Sequence, residues 1–371
     1  MKKYLSMILF AAAVAASCNK DLVEIATNEE LMTISASIET GVGVKTSLNG
    51  DETKSLWSAN DELSVFDGVN HRQYTIKDKA TYVASEFASF EGTALADADK
   101  YFALYPYTST ATLSEVGGWP LISGAVLPAV QAVKKEGTFA DGAAVSVALS
   151  SNKESFSFQN IAAVIKFTLA EDASSVEFVA NNNENIAGTF NVVPMDGNLG
   201  EITIQDGKGS SSVKVTGSLK SGKTYYFTVL PQALVKGYTF KINGYAVKTT
   251  SSPLVLQRSK VYNISGTLKR TQGTWGIRGS FVNGSWDKET MMYKEGNYQV
   301  LKAVDFGTGG AFKFYNSSNG WSGYESSEGK PTEKWMWIKG GSGGDIPAKG
   351  VVDIYVENEW SFKIVATGVK P

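Results

Sequence analysis

The sequence predicts an all-β chain built of sandwiches, and three observations predict it. The 371 residues hold 37 glycines and 11% aromatics, a mixture that suits turn-rich sheets; helices draw on periodic blocks of Ala, Leu, Glu and Lys. Short runs alternate apolar with polar residues, as a half-buried strand does when successive side chains face opposite ways. Between the runs stand Asn49-Gly50, Asp67-Gly68, Asp196-Gly197, Asp206-Gly207 and Asn243-Gly244, pairs that supply the positive φ of tight turns. No segment sustains a helical apolar period beyond two or three turns.

Taken from the start, Lys2 and Lys3 form a positive n-region, and residues 5–14 are apolar but too short to span a bilayer comfortably. Ala15-Ala16-Ser17 then runs into Cys18, the sole cysteine. This arrangement resembles the lipobox of bacterial lipoproteins. The resemblance implies that residues 1–17 are a removed signal peptide and that Cys18 is diacylated on sulfur. The mature chain is then lipid-anchored in the outer membrane, facing the cell surface. Residues 18–29, with Asp21 and Glu24 near the anchor, read as a tether.

Strand-like runs follow at 31–38, 62–66, 101–105 and 144–149, and again at 163–169, 176–180 and 200–205. Others are 212–215, 224–230, 238–242 and 261–268. Several carry a shared order of motifs. Val44-Lys45-Thr46-Ser47-Leu48 precedes Leu56-Trp57-Ser58-Ala59-Asn60-Asp61, and Tyr101-Phe102-Ala103-Leu104-Tyr105-Pro106 precedes Leu127-Pro128-Ala129-Val130-Gln131. Phe156-Ser157-Phe158-Gln159-Asn160, Val229-Leu230-Pro231 and Lys260-Val261-Tyr262-Asn263-Ile264 complete the order. It resembles the fimbrillin family over about 240 of the 371 residues. The resemblance implies two transthyretin-like β-sandwiches in tandem, residues 30–150 and 151–270, with Trp57 and Phe66 in the core and Asp61 forming a turn. It also implies assembly with other fimbrillin subunits by strand donation, after proteolysis near the N-terminus. Lys45 and Arg72 are the candidate trypsin-like sites.

Residues 274–371 differ in composition. They hold six of the eight tryptophans, with eleven basic and eleven acidic residues, so the enrichment is aromatic rather than electrostatic. The polar stretch 268–272 reads as the linker into this part. Trp275-Gly276-Ile277-Arg278-Gly279, Gly284-Ser285-Trp286-Asp287, Phe312-Lys313-Phe314 and Gly320-Trp321-Ser322-Gly323-Tyr324 follow in order. The order is similar to that of the outer-membrane starch-binding lipoproteins of the starch-utilisation system (SusE/SusF type). The similarity implies an immunoglobulin-like β-sandwich that binds starch or another polysaccharide, and a glycan-uptake complex as a partner.

An indole is a flat, rigid surface for the apolar face of a pyranose ring. In an extended strand, Trp335 and Trp337 point to one face and Met336 to the other. Lys313 points away from Phe312 and Phe314, hence to solvent if those rings are core. The expected glycan-binding set is Trp321, Trp335, Trp337, Lys313 and Tyr324, with Trp275, Trp286 and Trp360 assigned to the core.

Other chemistry is excluded or disfavoured. With 35 Lys+Arg against 37 Asp+Glu and no basic run, nucleic acid is not an expected partner. One Cys and one His leave no internal disulfide and no zinc cluster, and neither metal nor cofactor is expected. Residues 217–224 match the Walker A pattern. A nucleotide loop must open a helix, however, and Thr224 leads into a strand-like run ended by Pro231. Ser221-Gly222-Lys223 reads as a hairpin turn instead, and His71 as an exposed loop residue. Asp353, Glu357 and Glu359 could be imagined as glycosidase carboxylates, but Glu357-Asn358-Glu359 has the look of a solvated hairpin tip. The sequence therefore favours a glycan-binding surface lipoprotein over a fimbrial subunit acting in cell adhesion, and either of these over an enzyme.

Overall fold

The computed structural model describes residues 30–39, 47–48, 55–134, 136–140, 142–341, 343–358, 360–369 and 371. Cys18, the tether, Lys45, Asn49-Gly50 and Glu359 lie outside the described residues. The described chain is all-β and arranged as successive sandwich modules.

In the first module the two layers join along their edges into a closed barrel. Its order is Leu31–Ile38, Ser155–Asn160, Ser146–Ser150, Tyr101–Tyr105, Glu62–Phe66, His71–Ile76 and Phe87–Thr93, which returns to Leu31–Ile38. Alternation explains why these residues are strands: Ile34, Ala36, Tyr74, Ile76, Ala88 and Phe90 are buried, and the positions between them are more exposed. Trp57 fills the middle, met edge-on by Phe90, Tyr105 and Phe158 at 5.1–5.3 Å. Asp61 sets the adjoining turn, accepting the Ser58 N–H at 2.7 Å and the Tyr105 hydroxyl at 3.1 Å.

The second module faces the three-stranded sheet Thr224–Val229, Ala163–Leu169 and Val261–Leu268 against a five-stranded one. The larger sheet runs Val130–Ala132, Ser212–Leu219, Ala173–Ala180, Tyr238–Ile242 and Tyr245–Thr250. Phe167 and Phe227 from one layer meet Phe240 and Phe178 from the other at 6.0–6.1 Å. Asn243 and Gly244 both take positive φ, 48° and 85°, in the tight turn of the last hairpin, as an Asn-Gly pair should.

Sheet pairing crosses residue 150 in both directions. Strand Ser155–Asn160 belongs to the first barrel, whereas Trp119–Leu127 pairs with Ala187–Met195 and Val130–Ala132 with Ser212–Leu219. The stretch between Ser150 and Ser155 is a hairpin turn held by Ser150 and Asn152 side chains. Hairpin strands stay in one sheet, so this turn cannot separate two modules. A single core runs from Ile34 to Leu268.

The third module is one hydrogen-bonded sheet folded over its own core of Trp275, Ile277, Met292, Phe312, Phe314, Ile354, Phe362 and Ile364. From one edge the order is Met336–Trp337, Ser361–Ala366, Val351–Glu357, Tyr298–Asp305, Thr290–Glu295, Thr271–Gly279, Gly310–Asn316, Gly320–Gly323 and Lys339–Gly340, with Ile346–Ala348 also on Gly310–Asn316. The expected linker is short: strand Val261–Leu268 gives way to Thr271–Gly279 across Lys269 and Arg270.

Candidate functional site

Alternation along three adjacent strands builds one aromatic and cationic face outside the third core. Phe312 and Phe314 are fully buried, so Lys313 and Tyr315 point outward. Arg278 lies directly across from Lys313, and Trp321 across from Tyr315. The Arg278 guanidinium stacks over the Tyr315 ring at 3.7 Å and lies 5.3 Å from the Trp321 ring. Trp321 meets Tyr315 edge-on at 5.5 Å, and Trp286 joins it at 6.1 Å from the preceding loop. Trp286 and Trp321 are 37% and 36% exposed, enough to offer part of each indole to a ligand. Lys313 Nζ sits 3.6 Å from Asp345 Oδ1. Burial pushes the Glu289 carboxyl up, and the charge of Arg278 opposes that push. Two indoles, a phenol and a fixed guanidinium can stack on sugar rings and hydrogen-bond their hydroxyls.

The structure disperses the expected set. Trp321 and Lys313 share this face. Trp337 is 62% exposed at the far edge of the sheet, and among the described residues it makes no ring contact. Trp335 instead stacks on Tyr298, 5.9 Å away at 12°, within the group that contains Tyr245, Tyr293 and Tyr355. Met336 is buried as alternation requires, but the strand is two residues long and Trp335 precedes it. Tyr324 is a correction: it is 8% exposed, and its ring points into the core at Phe362. With Trp321 facing out, the two-residue period already places Ser322 and Tyr324 inside.

Two of the indoles assigned to the core are half-exposed. Trp275 is buried, but Trp286 is surface, and Trp360, 38% exposed, packs edge-on against Trp275. Arg278 and Tyr315 were legible in principle. Each follows a fully buried apolar residue on its strand, Ile277 or Phe314, so each must point outward.

Other side chains take structural parts. His71 is no loop residue: it lies on strand His71–Ile76, stacked on Phe66 at 4.5 Å, and burial lowers its pKa. Arg72 is paired within the same strand, opposite Val65, which hides its peptide bond from a protease. Asp353 is 2% exposed and accepts the N–H groups of Ala303 and Gly368, holding the bulge at Ala303, where φ is +53°. Residues 220–223 turn between two different sheets, so they are not a hairpin; Lys220 pairs with Asp172 and Lys223 with Glu136.

A second candidate site is the closing strand of the barrel. Leu31–Ile38 runs parallel to Ser155–Asn160 on one side and antiparallel to Phe87–Thr93 on the other. Each of its pairings is distant in sequence. Its removal would leave two strands with unpaired backbone edges and would uncover the places now filled by Ile34 and Ala36.

No protein-family model matches this chain, and no curated protein matches it. Among solved structures, it is similar to a putative cell adhesion protein from Bacteroides fragilis, with 14% identity over 71% of this chain and 97% of that one, at a TM-score of 0.28. A fimbrial protein from Bacteroides ovatus is similar at 11% identity over 74% of this chain and 57% of that one, also at 0.28.

Proposed function

We propose that this chain is a cell-surface fimbrial subunit acting in adhesion, with strand Leu31–Ile38 as its exchangeable element. The observation that carries this reading is the position of that strand: it closes the first barrel through two pairings, with Ser155–Asn160 and Phe87–Thr93, that are both distant in sequence. Strand addition to such edges supplies affinity through main-chain hydrogen bonds and specificity through alternate side-chain pockets. The sequence brackets the strand suitably, with the lipid-anchor signal at Cys18 before it and Lys45 after it. A cut at Lys45 would sever the strand from the rest of the chain, and a strand from another subunit would take its place. Limited digestion of the purified protein with a trypsin-like protease tests this. Loss of the segment from Cys18 to Lys45 should accompany detergent-resistant oligomers; cleaved protein that stays monomeric would sink the proposal.

The face around Trp321 favours a second role on the same molecule, recognition of a polysaccharide without catalysis. Glycan-array binding of the whole protein should fall about tenfold for Trp321→Ala and for Trp286→Ala, as expected for a lost stacking partner. Trp337→Ala should leave it unchanged. Absence of binding to every glycan would remove this second role and leave the first intact.

A further inference from the structure

We propose that the turn carrying Arg258 and Ser259 is a carboxylate receptor that reads the residue following the closing strand. The occupant it fits is a strand donated by another subunit that ends on a carboxylate, as segment 31–39 ends at Glu39. Resting on the strand-exchange reading above, this inference names what an incoming strand must carry.

Within one chain the receptor is filled by its own Glu39. Arg258 Nη2 donates to Glu39 Oε2 at 2.5 Å and the Asn160 N–H donates to the same oxygen at 3.3 Å. The Ser259 hydroxyl donates to Oε1 at 2.6 Å. Arg258 is aimed by a second bond, from its Nε to the Asn160 carbonyl at 3.0 Å. Ser259 holds φ at +55°, a conformation uncommon outside glycine, and its N–H is tied to the Ala162 carbonyl at 3.0 Å. The Glu39 N–H continues the ladder to the Phe158 carbonyl at 2.9 Å. All three donors to the carboxylate belong to residues outside the closing strand, so they remain when that strand leaves.

The chemistry selects a carboxylate. An ionised carboxylate only accepts, through two oxygens, and so satisfies three donors at once; an amide would turn an NH2 group toward one of them. The receptor also fixes what the strand pattern leaves open. Met32, Ile34, Ala36 and Ile38 alternate with polar residues, so sliding the strand by two residues keeps every side chain on its proper face. Such a slide moves the carboxylate by about 6.6 Å, two residues at the rise of a strand, and takes it off Arg258. Apolar alternation chooses the face, and the carboxylate chooses the register.

The test anneals the full-length protein, warmed close to its unfolding midpoint and cooled, with a fluorescent peptide of residues 31–39. The same peptide with Glu39→Gln is compared. The wild-type protein should hold the glutamate peptide about tenfold or more tightly, the scale of a lost charge-assisted bond. Arg258→Ala protein should hold both peptides equally, and Arg258→Lys should keep part of the preference. Equal binding of both peptides by the wild type overturns the receptor and leaves strand exchange standing. Entry of neither peptide overturns strand exchange itself, and the receptor with it.

Discussion

Asp67 shows how a turn signal becomes a stabilising centre. Its carboxylate is 2% exposed and accepts the N–H groups of Asn70 at 2.7 Å, Ala96 at 2.9 Å and Val69 at 3.1 Å. Burial pushes its pKa up, but the converging donors from Ala96, Asn70 and Val69 outweigh it, and the net direction is down. A carboxyl depressed in the folded state stabilises the protein above the unfolded pKa of about 3.9. That contribution is lost as pH falls through the lower folded value. Asp67→Asn should therefore cost about 1–3 kcal/mol at pH 7, the penalty for mismatched buried donors. The gap between variant and wild type should narrow as the pH drops below about 4. Urea unfolding at pH 7 and at acid pH measures both, and a pH-independent gap would refute the electrostatic account. The sequence showed a turn at Asp67-Gly68. It could not show that Ala96, far along the chain, would donate to the same oxygen pair.

At the scale of the element, what the sequence made legible was what local alternation determines. Strand Leu31–Ile38 falls where its pattern places it, with Ile34 and Ala36 buried. Its partners were not legible, because a parallel neighbour 120 residues away leaves no local mark. The same blindness placed the division between the first two modules at residue 150, where the chain makes a hairpin turn. Met336–Trp337 was misread for a different reason: two residues are too few for a period, so the facing of Trp335 was never set by a strand. Tyr324, by contrast, was readable from Trp321 by counting. The inward positions of the closing strand should dominate its energetics. Ile34→Ala removes buried methyl groups from a fully enclosed site and should cost about 2–5 kcal/mol. Leu31→Ala, at a position 65% exposed, should stay within about 0.5 kcal/mol. Denaturant midpoints of the two variants decide it. A costly Leu31 and a neutral Ile34 would mean that the barrel does not close as described.

Over the whole molecule, the second and third modules meet at Tyr245, just after the Asn243-Gly244 turn. Its ring is 6% exposed and 5.1 Å from Tyr293, and its hydroxyl accepts the Lys302 N–H at 2.8 Å. Arg270, one of the two residues between the modules, stacks over Tyr293 at 4.0 Å and gives Glu171 Oε2 two hydrogen bonds, at 2.9 and 3.1 Å. Lys302 bridges to the Gly244 carbonyl at 2.8 Å and to Glu295 at 2.6 Å. A joint this densely bonded should make the two modules unfold together. Burial pushes the Tyr245 phenol up to about 12. A phenol raised in the folded state contributes stability that is complete below the unfolded pKa of about 10 and is lost as pH rises toward 12. Heating at pH 7 should thus give one calorimetric transition for the wild type. Tyr245→Phe, which keeps the ring but loses the acceptor for Lys302, should lower its stability by about 1 kcal/mol. Tyr245→Ala should remove about 3–5 kcal/mol of packing and split the transition in two, the third module melting apart from the rest. The wild type taken to alkaline pH should approach the same split. A single transition in Tyr245→Ala would mean that the remaining contacts, Arg270 with Glu171 and Lys302 with Gly244, suffice to couple the modules.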